Sequence, residues 1–349
     1  MKRIRYYDIL RIISTALVIW YHLVIQLAVN GIIPQAALDP LYSNANMHLA
    51  TLAVSVFFLL SGACQMISDK GDLHIGKYYK KRFLTLLVPF YVTYVLYLVY
   101  TAFVHPETIA YFRTLPKKRI LYTFFGMDEW ISMHGTPTFS LHIGEWFLGC
   151  LIVLTILFPL LRLLMKKFRH FFMAAVTVLF VLLTVKYDAF CAHFSISVPW
   201  NMSLLLKGYE FVLGMYLATE LPKLPKAWRW AAAAVTLVFL VCPVRIPGND
   251  ALKTTAFALC FFIAASLLEP LLQKRNRQFL SKLSAFTYPL FLVHHAVIYE
   301  ITPLAKPFLS GTGSIALLFA AELAVMTVLG LFVQTICRFL SGNLAARHD

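Results

Sequence analysis

Ten apolar runs recur along this 349-residue chain, at residues 8–29, 48–68, 84–104, 144–165, 170–186, 203–220, 228–243, 251–269, 284–303 and 313–339. A bilayer core about 30 Å thick asks for about 20 residues of helix. Within it every backbone polar group must be satisfied inside the segment, which leaves the helix as the form such runs take. Composition agrees, with 60% hydrophobic and 13% charged residues and a mean hydropathy of +0.73, too little polar surface for a water-exposed domain. The expected fold is all-α: a polytopic integral membrane protein of about ten transmembrane helices, one domain over residues 1–349, with a long outer loop at about 105–143.

The formal net charge of +15 would suit a nucleic-acid partner only if the cations shared one solvated face. They fall instead in short clusters between apolar runs, among them Lys2, Arg3 and Arg5, then Lys80, Lys81 and Arg82, then Lys166, Lys167 and Arg169. Alternate connections carry most of the 31 basic residues, so the rule that cytoplasmic loops are positive places both termini in the cytoplasm of a multi-pass protein, expected in the plasma membrane. The first run is a full span with no small-residue cleavage site after a short core, so no cleavable signal is expected. Six cysteines are scattered, mostly in apolar runs, and read as small buried hydrophobes; Cys191 and Cys242, near two outer loops, leave one pairing open. No CxxC, phosphate loop or HExxH occurs. The expectation is no metal, no ATPase and no permanently bound cofactor.

Polar residues inside the runs are few and therefore informative. Arg11 and His22 are eleven residues apart, within about 20° of one helix face and about 16 Å along the axis. Arg11 alone reads as an anchor reaching for headgroups, and His22 alone leaves a structural hydrogen-bonding residue and a catalyst equally open. Other groups shift the balance: Glu145 with His142 at the outer end of the fourth run, His294 and His295 within the ninth, Ser61 and Gly62 in the second. A carboxylate beside an imidazole orients it and raises its basicity, the arrangement a general base needs. His295 points about 100° from His294 and is read as structural.

YDILRIISTALVIWYH at 7–22 resembles the first-helix signature of the acyltransferase 3 family, an Arg and a His separated by ten residues. VFFLLSGA at 56–63, KKRFLTLLVPFY at 80–91, EWFLGCLIVLTILFPLL at 145–161 and SAFTYPLFLVH at 284–294 are similar to further family segments, in the expected order. The chain departs from the pattern where Thr85 stands three residues after Arg82 in place of a second Arg, and where Pro289 interrupts the ninth-run motif. The resemblance is to the stand-alone membrane form, with no esterase-like domain after the last span.

The resemblance implies transfer of an acyl group, usually acetyl, from cytoplasmic acyl-coenzyme A to a hydroxyl of a carbohydrate or glycolipid acceptor. His22 would then be the general base, Glu145 its orienting carboxylate, and His294 part of the site or its brace. Arg11, Lys81 and Arg82 would hold the donor's phosphates, since guanidinium groups bind phosphate through several charge-assisted hydrogen bonds, and Ser61 would donate to the thioester carbonyl. Tyr111, Asp128, Glu129 and Trp130 in the outer loop are candidate sugar contacts. A polysaccharide exporter is the non-enzymatic alternative, but it needs a continuous polar path, whereas these polar residues cluster.

Overall fold

The computed structural model describes residues 3–34, 49–68, 71, 73–241, 250–273 and 277–346. The protein is all-helical, 87% helix, with no strand among the described residues. The long helices are α1 (Arg5–Val29), α2 (Leu49–Ser68), α3 (Ile75–Val104), α4 (Glu145–Val185), α5 (Leu204–Glu220), α6 (Lys226–Val241), α7 (Asp250–Ala265), α8 (Arg277–Ala305) and α9 (Thr312–Ala346).

Six helices among the described residues are long and apolar enough to cross a membrane: α1, α2, α3, α4, α7 with its short continuation to Leu272, and α9. This is fewer than the ten runs, for local reasons. Runs 144–165 and 170–186 lie on either side of Phe168, whose backbone leaves the helical region (φ −130°, ψ 31°) within α4, beside Lys166, Lys167 and Arg169. Helices α5 and α6 have only 17 and 16 residues. In α8 the histidines, Tyr288 and Glu300 dilute the hydropathy. Cys242 lies outside the described residues, and with it the pairing to Cys191.

The chain divides into two compact units, Met1–Tyr21, Ala36–Leu73 and Ile156–Ala285 in the first, His22–Gln35, His74–Thr155 and Phe286–Asp349 in the second. In the first unit α2 packs on α5 through Gly62 and Gly214. A Cβ at Gly62 would lie 1.9 Å from the Phe211 carbonyl oxygen, and one at Gly214 would lie 2.0 Å from that of Leu59. Small residues permit such approach where lipid offers no hydrophobic drive for helix pairing. Beside this contact Lys207 and Glu210 form a buried ion pair at 3.1 Å. Lys207 also donates to Ser55 Oγ at 3.0 Å, and Glu210 Oε1 accepts from Ser55 at 2.7 Å and Thr255 at 2.9 Å. Partners from α2 and α7 thus satisfy a pair that burial would otherwise penalise. Lys207, a cation within the apolar run 203–220, is therefore a helix-interior residue paired inside the protein.

Glu269 fastens the start of α1, accepting from the backbone N–H of Arg5 at 2.8 Å and of Tyr6 at 3.1 Å. These are donors that a helix N-terminus leaves free. In the second unit α3 contains a π-helical turn at Phe83–Leu87, and the Leu86 carbonyl in it accepts from Tyr288 Oη of α8 at 2.8 Å. Gly330 of α9 leaves room for the Phe286 ring, which a Cβ there would meet at 2.9 Å. These contacts place the middle of α8, and with it the paired histidines.

Candidate active site

Glu145 opens α4, so its carboxylate stands in a first helical turn, where free N–H groups and the helix dipole favour negative charge. The chain arrives there through His142, Gly144 and Glu145, all left-handed, with φ of 58°, 77° and 50°. Each non-glycine residue in that region costs about 1–2 kcal/mol, a strain that persists where the surroundings hold it. Gly144 is demanded twice over, by its φ and because a Cβ would lie 2.7 Å from Leu148 Cδ2.

Three imidazoles surround this carboxylate, all within the second unit. His294 Nε2 lies 3.2 Å and His295 Nε2 3.4 Å from Glu145 Oε1, and His22 Nε2 lies 3.5 Å from Oε2. His295 Nε2 is also 2.9 Å from His22 Nδ1. His294 is fully buried, and its Nδ1 stands 2.6 Å from the Phe291 carbonyl oxygen. A carbonyl only accepts, so Nδ1 carries the proton and Nε2 turns to the carboxylate. The ligand atoms of the four residues lie within 4.8 Å of one another, a group able to hold a metal ion, although the chain carries no metal-binding motif.

The sequence-expected trio of His22, Glu145 and His294 is thus brought together, and His295 joins it. The reading of His295 as structural rested on the 100° between neighbouring helix positions. Two adjacent rings nevertheless reach one point when it lies between their directions, and the His-His pair itself was the available signal. Tyr299 stacks on the His295 ring at 4.7 Å.

Outside the cluster stands a second imidazole–carboxylate pair. His142 Nδ1 is 3.1 Å from Glu129 Oε2, which also accepts from Ser140 Oγ, and the His142 and His295 rings are 6.4 Å apart. The hydrogen bond with Glu129 raises the His142 pKa against burial. Burial pushes the Glu129 carboxyl up, but the His142 and Ser140 contacts overcome it and hold it below the usual carboxylate range.

The outer loop is itself partly helical, with short helices at Pro106–Thr114, Ile120–Phe124 and Asp128–Ser132. Of the candidate sugar contacts, Trp130 packs on α4, where a Cβ at Gly149 would lie 2.5 Å from its Cβ. Asp128 is buried and accepts from Thr123 Oγ1 at 3.1 Å, while Tyr111 is exposed. Burial raises the Asp128 pKa to about 7, so the folded loop holds a proton there that the opened loop, with an ordinary pKa near 4, releases. Protection from opening should therefore be greatest below about pH 4, fall as pH rises to about 7, and level off above. Hydrogen exchange across residues 120–140, corrected for intrinsic rates, reads this; Asp128→Asn should flatten the profile, and an unchanged slope in the variant would refute it.

Arg11 belongs to the first unit, where its guanidinium donates to Ser284 Oγ at 2.8 Å and lies 3.6 Å from Asp8. It is held by protein rather than extended as a free anchor. Ser61, in the same unit, adjoins the Gly62 contact. Lys81 and Arg82 belong to the second unit at the entry to the π-helical turn; Lys81 is exposed, and Arg82 lies over the Tyr78 ring at 5.4 Å. Thr85, at the departure from the family pattern, donates to the Lys81 carbonyl at 2.9 Å. An apolar cleft of about 260 Å³ opens along the Val293, Val297 and Glu300 face of α8, a face with none of the histidines, and no chemistry is assigned to it.

No curated protein and no solved structure matches this chain. The acyltransferase domain family, acyltransferase 3, matches residues 4–337. That match takes in α1, the Glu145 turn and the paired histidines of α8 together, and the chain belongs to the acyltransferase 3 family of membrane acyltransferases.

Proposed function

We propose that the protein moves an acyl group, acetyl foremost, from cytoplasmic acyl-coenzyme A to a hydroxyl of a carbohydrate or glycolipid acceptor at the cell surface, as a ten-span plasma-membrane enzyme with cytoplasmic termini. The observation that carries this reading is the convergence of three imidazoles on the Glu145 carboxylate at 3.2–3.5 Å among apolar helices. Such a cluster can take a proton, hold the resulting charge and return it. The acceptor hydroxyl gives its proton to a ring nitrogen of His22 as its oxygen attacks the thioester carbonyl. The C–S bond then breaks, and the departing thiolate recovers the proton from His22. Glu145 stabilises the imidazolium, and His294 lines the same site. One displacement suffices, with no acyl-enzyme.

Arg11 and Ser61 in the first unit, and Lys81 and Arg82 in the second, keep the donor-binding roles that the sequence suggests, the cations for phosphates and the hydroxyl for the thioester carbonyl. Mass spectrometry of surface glycans and glycolipids from cells with and without the gene tests the function. Loss of an acetyl mass from one glycan in the deletion strain is the expected result. Unaltered acylation, with movement of labelled glycan that needs no acyl-coenzyme A, would replace it with the exporter.

A further inference from the structure

The imidazole-to-carboxylate spacing in the histidine cluster is too long for charge-assisted hydrogen bonds. Such bonds between an imidazole N–H and a carboxylate run about 2.7–2.9 Å, whereas the three nitrogen-to-carboxylate distances here are 3.2, 3.4 and 3.5 Å. A tetrahedral zinc ion with bonds of about 2.0–2.1 Å sets neighbouring ligand atoms about 3.3–3.4 Å apart. With one atom taken from each residue, His294 Nε2 and His295 Nε2 stand 3.2 and 3.4 Å from Glu145 Oε1 and His295 Nε2 stands 3.3 Å from His22 Nε2, close to that value, and all four ligand atoms lie within 4.8 Å of one another.

The protonation of His294 supplies a second argument. Its Nδ1–H donates to the Phe291 carbonyl, the outer hydrogen bond that metal-bound histidines almost always make. This leaves the Nε2 lone pair of a neutral ring aimed at a carboxylate oxygen, two negative ends face to face in a buried place. A positive charge between them, a proton or a metal ion, removes the repulsion. His294 Nε2 and Glu145 Oε1 are both buried without a hydrogen-bond partner, and metal coordination would satisfy both at once. Three nitrogens and one oxygen form a donor set of the zinc type, and its single carboxylate leaves oxygen-seeking magnesium or calcium poorly served.

We propose that His22, Glu145, His294 and His295 bind one divalent cation of the zinc class, and that its occupation withdraws His22 from proton transfer so that zinc ions inhibit the enzyme. The binding half rests on geometry alone; the inhibitory half rests on the acyl-transfer reading. With four protein ligands the site is closed, as structural zinc sites are, and no open position remains for a reacting hydroxyl.

The full chain, purified in detergent and stripped with a chelator, is titrated with cobalt(II), whose tetrahedral complexes absorb visibly. The expected result is a d–d spectrum that saturates at one cobalt per chain, is abolished by zinc, and is lost in His294→Gln and in His295→Gln. In acyl-transfer assays the stripped enzyme should be active, and saturating zinc should lower turnover by about a hundredfold or more, the least a general base supplies, with recovery on adding chelator. Absence of the cobalt spectrum in folded wild-type protein overturns the site. Transfer that survives saturating zinc, or that requires it, overturns the inhibition. A cobalt spectrum with no transfer in either stripped or loaded protein supports the site and sinks the acyl-transfer reading instead.

Discussion

His22→Gln should lower acyl transfer by about 10²–10⁴-fold, the contribution of a positioned general base, while the protein still folds and binds donor. Glutamine keeps a polar group where His22 meets His295 at 2.9 Å and Glu145 at 3.5 Å, but it cannot accept and return a proton near neutral pH. A histidine that only bridges helices would tolerate the change; one that carries the proton would not. Donor binding should persist because Arg11, the first-helix cation assigned to phosphate, stands eleven residues away along α1 and has its own partners in Ser284 and Asp8. The measurement is turnover by purified variants matched for folded protein, beside acyl-coenzyme A binding. Turnover within about threefold of wild type, no more than an ordinary polar contact is worth, would remove the catalytic role from His22 and pass it to His294 or His295.

Gly62→Ala and Gly214→Ala should each destabilise the first unit severely. Overpacking a well-packed interior typically costs about 1–3 kcal/mol, and here the new methyl meets backbone at 1.9 and 2.0 Å, which no rotamer change relieves. The two costs should not add, since a helix pair already pushed apart by one methyl has room for the other. Gly76 and Gly313, with open space around them, are the controls, and alanine there should be neutral or mildly stabilising. Thermal stability in detergent, read by fluorescence of a thiol probe, ranks the five proteins. A Gly62→Ala protein as stable as the Gly76→Ala control would refute the close contact.

The helical class was legible because a bilayer accepts only certain elements, and a run of apolar residues long enough to cross it states its own secondary structure. His22, Glu145 and His294 were legible because ionisable groups are so costly in hydrocarbon that each one demands a reason. Less was legible where chain length and hydropathy part company. The paired histidines that make α8 chemically important also lower its hydropathy, so it falls outside the six helices among the described residues that are long and apolar enough to cross a membrane.

Local chemistry written along one strand of sequence thus determined helices, an apolar environment and the residue types of a proton-transfer site, since each follows from a residue and its near neighbours. The convergence itself was decided by tertiary structure. His22 and His294 are separated by most of the chain, and only the packing, within the second unit, of the helix segments that carry His22, Glu145 and His294 sets their nitrogens around one carboxylate. The same packing brought His295, read from sequence as structural, into the cluster, seated Trp130 against α4, buried Asp128 beside Thr123, and buried Lys207 against Glu210. Side-chain spacing along a helix fixes directions to within a turn, but distances of 3.2–3.5 Å between separate helices depend on how those helices pack, and no single segment carries that information.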